Sequence, residues 1–420
     1  MSGLKGKFVR KINNKQLLIF ITMAILCMGN SKYLIVKGIN SYVEYAGYFL
    51  LMCGIAYYFL KKQNECKLRL VHIIFGVVVI LFSIGIIVQP LSVSVKVRLV
   101  LTMITIASAA IIAENYINSF ADIRAASYGV LAGMTGAMLL SVANRVSLFD
   151  NVNEGILHIG FNGGLEYKNY FAGSVLASFM GISLVYKYGQ ETQCNKKYKD
   201  LFILLLETVL ILLSSSRGGY ILFAVFLAVI NFDKLRVLRR NKFLEAICFV
   251  IIILAGIWFF YAYVLGSDTY LYRIRGVLNY FEYHKSDWFH LLFGNAEMAY
   301  EGGGMSYVDN IRATVGWNGT YEMGFINAMI KNGILGIIGY FIIFVYIIFV
   351  CIKCESGKQR TVCFSVLVTL LVSSLVESYV CNIHTIFGIY CYMVMSGLCG
   401  MMKEVYKSRQ EISLEPEGLL

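Results

Sequence analysis

Charge is what this sequence has least of. Asp, Glu, Lys and Arg make up 15% of its 420 residues against 58% hydrophobic, and the mean hydropathy is +0.68. A chain so poor in charge cannot clothe an ordinary soluble globule. Other absences narrow the field. No small-residue cleavage site follows the first apolar run, so no cleaved signal peptide is expected and the run should stay as an anchor. The 11 cysteines lie within apolar spans or on the side assigned to the cytoplasm, with Cys381 alone near the outer face, so structural disulfides are not expected. Cys351 and Cys354 form a C-x-x-C without a second pair nearby and read as ordinary small side chains rather than a metal site. No internal repeat suggests the inverted symmetry common in secondary transporters. No nucleic-acid motif accompanies the net charge of +12, and the basic residues sit in short loops, where a topology signal would put them.

What the chain has instead is a succession of apolar runs. They predict one all-α polytopic membrane domain over 1–420, with about twelve transmembrane helices at roughly 17–36, 39–60, 70–88, 97–113, 125–143, 170–188, 201–213, 220–232, 243–265, 324–350, 361–380 and 384–402. This arrangement returns both termini to the cytoplasm. Its cytoplasmic segments then carry 25 of the 37 Lys and Arg residues, as the positive-inside rule requires. The 403–420 tail, acidic around Pro416, reads as a short disordered end. Two outer loops, 144–169 and 266–323, are too long to be plain connections. The second is rich in aromatic residues and has no proline, so it is expected to fold against the outer face, helical around Tyr270 to Phe293.

The chain is organised around Leu201–Phe232, two apolar runs separated by Ser214-Ser215-Ser216-Arg217-Gly218-Gly219. An arginine at a helix junction near the membrane needs a partner or a water-filled cavity, and this makes Arg217 a functional candidate. The alternative is snorkelling to headgroups. Ser216 and Gly218 favour the first reading, because small residues let backbones approach and leave N–H groups for an anion. The outer face also gathers Arg273, Arg275, His284 and Arg312 with the acids Glu282, Asp287, Asp309 and Glu322. Arginine forks match phosphate oxygens, carboxylates and histidine move protons, and Trp or Tyr rings suit the apolar faces of sugars. Singly, each could be an interfacial anchor. Glu377 and His384, at the facing ends of the last two spans, could orient an arginine, line a cavity or join two helices. Glu207 is ten residues before Arg217, about 15 Å along an ideal helix, too far for direct pairing.

The Ser-Ser-Ser-Arg-Gly-Gly break resembles the S-R-G element of the O-antigen ligase and O-antigen polymerase superfamily. Downstream, Arg273, Trp288, Leu292-Phe293-Gly294-Asn295 and the G-x-x-G of Gly333 to Gly336 follow in a similar order. The resemblance covers about Leu201 to Tyr340 by motif, and the whole chain by span count and loop placement. It implies a metal-independent, inverting glycosyltransferase without cofactor, in a bacterial plasma membrane, acting on glycans carried by undecaprenyl pyrophosphate. By position, Arg217 would be the pyrophosphate ligand and Arg273 a second one. The ligase branch carries a His-Asn or His-Ser pair where this chain reads Trp317-Asn318-Gly319-Thr320-Tyr321-Glu322. The base is therefore sought among Glu322, Asp309 and His284, in that order, and the departure favours a repeat-unit polymerase. Arg275 and Arg312 complete the pyrophosphate candidates, Trp288, Trp317 and Tyr321 the glycan-binding ones, and Ser216, Gly218, Glu377 and His384 the supporting ones. A flippase and a chain-length regulator are the partners this implies. The alternatives are a glycan ligase of the same superfamily and a transporter or flippase.

Overall fold

The computed structural model describes residues 13–61, 69–151, 159–189, 194–232, 268–296, 323–353 and 357–414. These form two compact units, one of residues 1–57 and 119–214, the other of 58–118 and 215–420.

The first unit is built on α1 (Asn14–Gly29), the short α2 (Lys32–Val36), most of α3 (Asn40–Lys61), α6 (Phe120–Ala143), α7 (Lys168–Tyr188) and α8 (Cys194–Leu213). Its tightest contact is α1 on α6. A Cβ at Gly129 or Gly133 would stand 2.5 Å from the carbonyl oxygen of Phe20 or Ala24, so this small-xxx-small pair lets the two backbones touch. Lys15 and Asp122, both in first turns, pair at 2.7 Å in a buried site, and Arg124 bonds Asp200 at 2.8 Å. The opposite end of α1 reaches the first long loop. Lys32 Nζ donates to Asp150 at 3.0 Å, and Ser31 bridges Leu165. That loop carries an antiparallel pair of strands, β1 (Phe149–Asn151) and β2 (Ile159–Phe161), with Asp150 opposite Gly160. The run expected as one span over 17–36 thus divides at Asn30 and Ser31, where the chain turns to meet the loop.

The second unit contains α4 (Leu70–Ile87), α5 (Val93–Ala107), α9 (Arg217–Ile230), α10 (Asp268–His284), α11 (Trp288–Phe293), α12 (Gly324–Lys353), α13 (Gly357–Val376) and α14 (Ile386–Leu414). A π turn (Ser108–Ile112) and a 3₁₀ turn (Ala113–Asn115) extend α5. α12 packs on α4, and α13 on α9. α12 is bent at Gly333, whose φ of 63° and ψ of −164° leave the helical region. Gly333, the first glycine of the G-x-x-G, thus serves a break: a side chain there would run into the Leu292 carbonyl. α14 corrects a second expectation, since the tail read as disordered from 403 stays helical to Leu414. No Gly or Pro interrupts that stretch before Pro416, and the residue preceding a proline is disfavoured in a helix.

Helices overlie the expected spans, two of them in 17–36, except at 243–265, which lies outside the described residues. Seven helices are long and apolar enough to cross a membrane: Asn40–Lys61, Leu70–Ile87, Val93–Asn115, Phe120–Ala143, Lys168–Tyr188, Gly324–Lys353 and Ile386–Lys403. Asn14–Gly29, Arg217–Ile230 and Arg360–Val376 are shorter apolar helices. The architecture is that of an all-α membrane protein.

Candidate functional site

The polar break before α9 is a helix start. Ser215 takes a left-handed φ of 51°, Ser216 is the N-cap, and its Oγ accepts the Gly219 N–H at 3.2 Å. One N–H expected for an anion is therefore already engaged by the cap. A non-glycine residue held at positive φ stores strain of about 1–3 kcal/mol, and such strain clusters where a chain must point a group in a set direction. The residue so placed is Arg217, the first of α9. Glu377 faces this terminus. A Cβ at Gly218 would stand 2.9 Å from Glu377 Oε1, so the glycine is what admits the carboxylate. A carboxylate at a helix N-terminus is favoured by the helix dipole, by about 0.3–1 kcal/mol and more when partly buried.

Glu377 belongs to the connection between α13 and α14, which contains a 3₁₀ turn at Tyr379–Cys381. This connection is fixed on several sides. Cys381 Sγ donates to the Gly324 carbonyl at 3.3 Å, Tyr392 Oη donates to the Val380 carbonyl at 2.8 Å, and the Arg98 guanidinium meets His384 Nε2 at 2.9 Å. The starts of α9, α12 and α14, the end of α13 and the early turns of α5 therefore share one end of the second unit. His384 partners Arg98, near the start of α5, a residue that the sequence reading did not single out.

The second element of the site is α10–α11. Arg275 is exposed on α10; of Arg273 the backbone alone, on the same helix, is among what the structure describes. Residues two apart on a helix stand about 200° apart around its axis, so one helix face cannot present both to one phosphate. Trp288 opens α11 and is 69% exposed. Asp287 caps α11, accepting from the His290 N–H at 3.2 Å, and its other oxygen bonds the His290 ring. Burial by itself raises the Asp287 carboxyl, but the His290 bonds and the nearby imidazole charge outweigh it and hold the group below the usual carboxylate range. His284 is fully buried. That burial pushes the imidazole below the ordinary histidine range, against the opposing effect of its Nδ1 bond to the Tyr280 carbonyl at 3.0 Å. A side chain so enclosed offers no open face to a sugar hydroxyl.

After α11 the chain docks into the break of α12. The Asn295 N–H bonds the Ile330 carbonyl at 2.6 Å. Buried Gln89, just past α4, donates to the carbonyls of Phe293 at 2.9 Å and Lys331 at 3.0 Å, and its Oε1 accepts from Ala296 N at 2.6 Å. The Phe293-Gly294-Asn295 motif and Gly333 thus have a common structural purpose: one glutamine satisfies the backbone groups that the broken helix and the loop leave over. Glu322, Asp309, Arg312, Trp317 and Tyr321 lie outside the described residues.

Two further groups come together in the structure. His284, Asp287 and His290 bring one ligand atom each within 4.8 Å of one another, as do the buried Cys351, Cys363 and Cys399. The first is an H-x₂-D-x₂-H pattern; the second joins three separate helices and leaves no local signature. Elsewhere in the unit, Lys403 bonds Glu114 at 2.8 Å and Tyr346 Oη at 2.7 Å. They border a cavity of about 570 Å³ whose other walls include Val71, Phe341 and Phe349. In the first unit Glu207 is fully buried, with Ser178 the hydrogen-bonding side chain beside its carboxylate.

No protein-family model matches the chain, and no curated protein matches it.

Proposed function

We propose that this chain is a polysaccharide polymerase, a twelve-span glycosyltransferase joining undecaprenyl-pyrophosphate-linked repeat units into O-antigen, capsular or exopolysaccharide. It would act at the outer face of a bacterial plasma membrane, with both termini in the cytoplasm. The observation that carries the reading is the helix start headed by Arg217 and faced by Glu377. A helix N-terminus and a guanidinium both favour an anion, and a carboxylate alongside orients the arginine. α9 has 14 residues, about 21 Å of rise against a hydrocarbon core of about 30 Å, so one of its ends lies below the membrane surface. That is a depth suited to a carrier entering sideways between helices.

In the proposed step the acceptor hydroxyl attacks C1 of the donor sugar opposite the pyrophosphate. The C1–O bond breaks, its electron pair leaves with the pyrophosphate, and a base takes the hydroxyl proton, with inversion at C1. Arg217 and Arg273 stabilise the charge the leaving group gains, which is greatest in the transition state. The base is Glu322 or Asp309, His284 being enclosed, and exposed Trp288 supplies a stacking face for the acceptor beside Trp317 and Tyr321.

The deciding measurement is the lipid-linked glycan profile of a strain lacking the gene. Single repeat units on the carrier with loss of long polymer support the polymerase. Long polymer still on its carrier indicates a ligase, and an unchanged profile removes both. One observation favours a transporter or flippase instead, the fully buried Glu207, since intramembrane carboxylates mark ion and proton paths. Loss of function in Glu207→Gln, with Arg217→Ala and the loop acids silent, would select that reading.

A further inference from the structure

We infer that His284, Asp287 and His290 form a binding site for a divalent transition metal of the Zn²⁺ class, which clamps α10 to α11. Part of the cluster has an ordinary explanation. Asp287 is the N-cap of α11, and a ring three residues on closes a capping arrangement. His284 has none. It is 0% exposed, its Nδ1 is held by the Tyr280 carbonyl at 3.0 Å, and Nε2 is buried with no hydrogen-bond partner among the described residues. A carbonyl only accepts, so Nδ1 carries the hydrogen and Nε2 presents a lone pair. This is how metal-ligating histidines are usually set, one nitrogen donating to a backbone carbonyl and the other left for the ion. A buried acceptor left unmet is costly, which favours a ligand at Nε2.

The other donors are within reach, since the three residues offer ligand atoms all within 4.8 Å. The two imidazole centroids are 5.6 Å apart with rings at 63°, an edge-to-face arrangement rather than a stack. Two imidazole nitrogens and a carboxylate oxygen suit Zn²⁺, and also Co²⁺ or Ni²⁺, and three protein ligands leave a fourth position for water. The site spans the last turn of α10 and the first of α11, so the ion would fix the angle at which that segment meets the Gln89 anchorage. The role is structural and does not depend on the proposed activity.

The test uses the full chain, purified in detergent through a tag other than polyhistidine, stripped with chelator and reloaded with Zn²⁺ or Co²⁺. One Zn²⁺ per chain is expected by elemental analysis, with Co²⁺ giving visible d–d bands of nitrogen and oxygen ligation. Asp287→Asn, which keeps the cap, and His290→Ala, at a partly exposed side chain, should each weaken binding at least tenfold, as should His284→Ala. Wild-type protein should melt at higher temperature with Zn²⁺, and His290→Ala should not respond. Absence of stoichiometric metal, or binding that all three variants leave unchanged, overturns the proposal. So does binding lost in Cys399→Ser with strong thiolate charge-transfer bands, which would assign the ion to Cys351, Cys363 and Cys399.

Discussion

The two units handle polarity inside an apolar protein in different ways. The first pairs side chain with side chain: Lys15 with Asp122, Arg124 with Asp200, Lys32 with Asp150. Its helices α6 and α8 run unbroken through Asp122, Arg124 and Asp200. The second has such a pair in Lys403 with Glu114, but it also breaks its helices and uses the exposed backbone. α9 begins at a strained serine, α12 bends at Gly333, and the connection from α13 to α14 turns beneath Glu377. Paired side chains hold a structure and leave nothing over for a ligand. Broken helices leave directed N–H and C=O groups and the ends of dipoles, which are the usual materials of an intramembrane site. On the proposed reading the chemistry belongs to the second unit and scaffolding to the first, with Glu207 as the exception that would reverse it.

The comparison is most exposed at Arg217. In Arg217→Ala, polymer should fall to the background of the deletion strain while the protein remains in membranes at wild-type abundance, measured by immunoblot beside the glycan profile. Near wild-type polymer would take the chemistry away from the broken helix. In the first unit, Asp122→Ala strands a buried ammonium and should cost about 3–5 kcal/mol, read as a lower detergent melting temperature. Replacing both partners, Lys15→Met with Asp122→Leu, should recover most of that loss, and failure to recover would mean the pair does more than hold. A smaller effect, about 1–3 kcal/mol, is expected for Gln89→Leu, which strips the α12 break of its bonds. Gly218→Ala pushes a methyl group at Glu377 and should lower polymer yield with little loss of stability. Glu377→Ala in the same chain should restore spacing without restoring activity, if the carboxylate orients Arg217. Ser216→Ala, removing the cap, should cost about 1 kcal/mol.

Much of this was legible beforehand. Apolar run length located the helices, because a chain in contact with lipid must close its backbone bonds within each run. The Ser-Arg-Gly break announced a helix start, since serine caps and glycine permits approach. What could not be read were the partners. Arg98 and His384 are 286 residues apart, as remote as any local pattern allows, and Gln89 gives no sign that it will serve three loop and helix groups at once. The bend at Gly333 was visible only as a glycine, which a helix crossing would equally have used. The tail was misread because acidic composition was weighed above the absence of a helix breaker before Pro416.

The anchorage at Gln89 has a consequence for how such a protein can change its specificity. The α10–α11 segment is fastened through main-chain groups of Phe293, Asn295 and Ala296, together with the carbonyls of Ile330 and Lys331. Main-chain groups are the same whatever side chain is attached. A loop moored in this way can exchange the residues that meet its ligand without slipping its mooring, so recognition and foothold are free to vary separately.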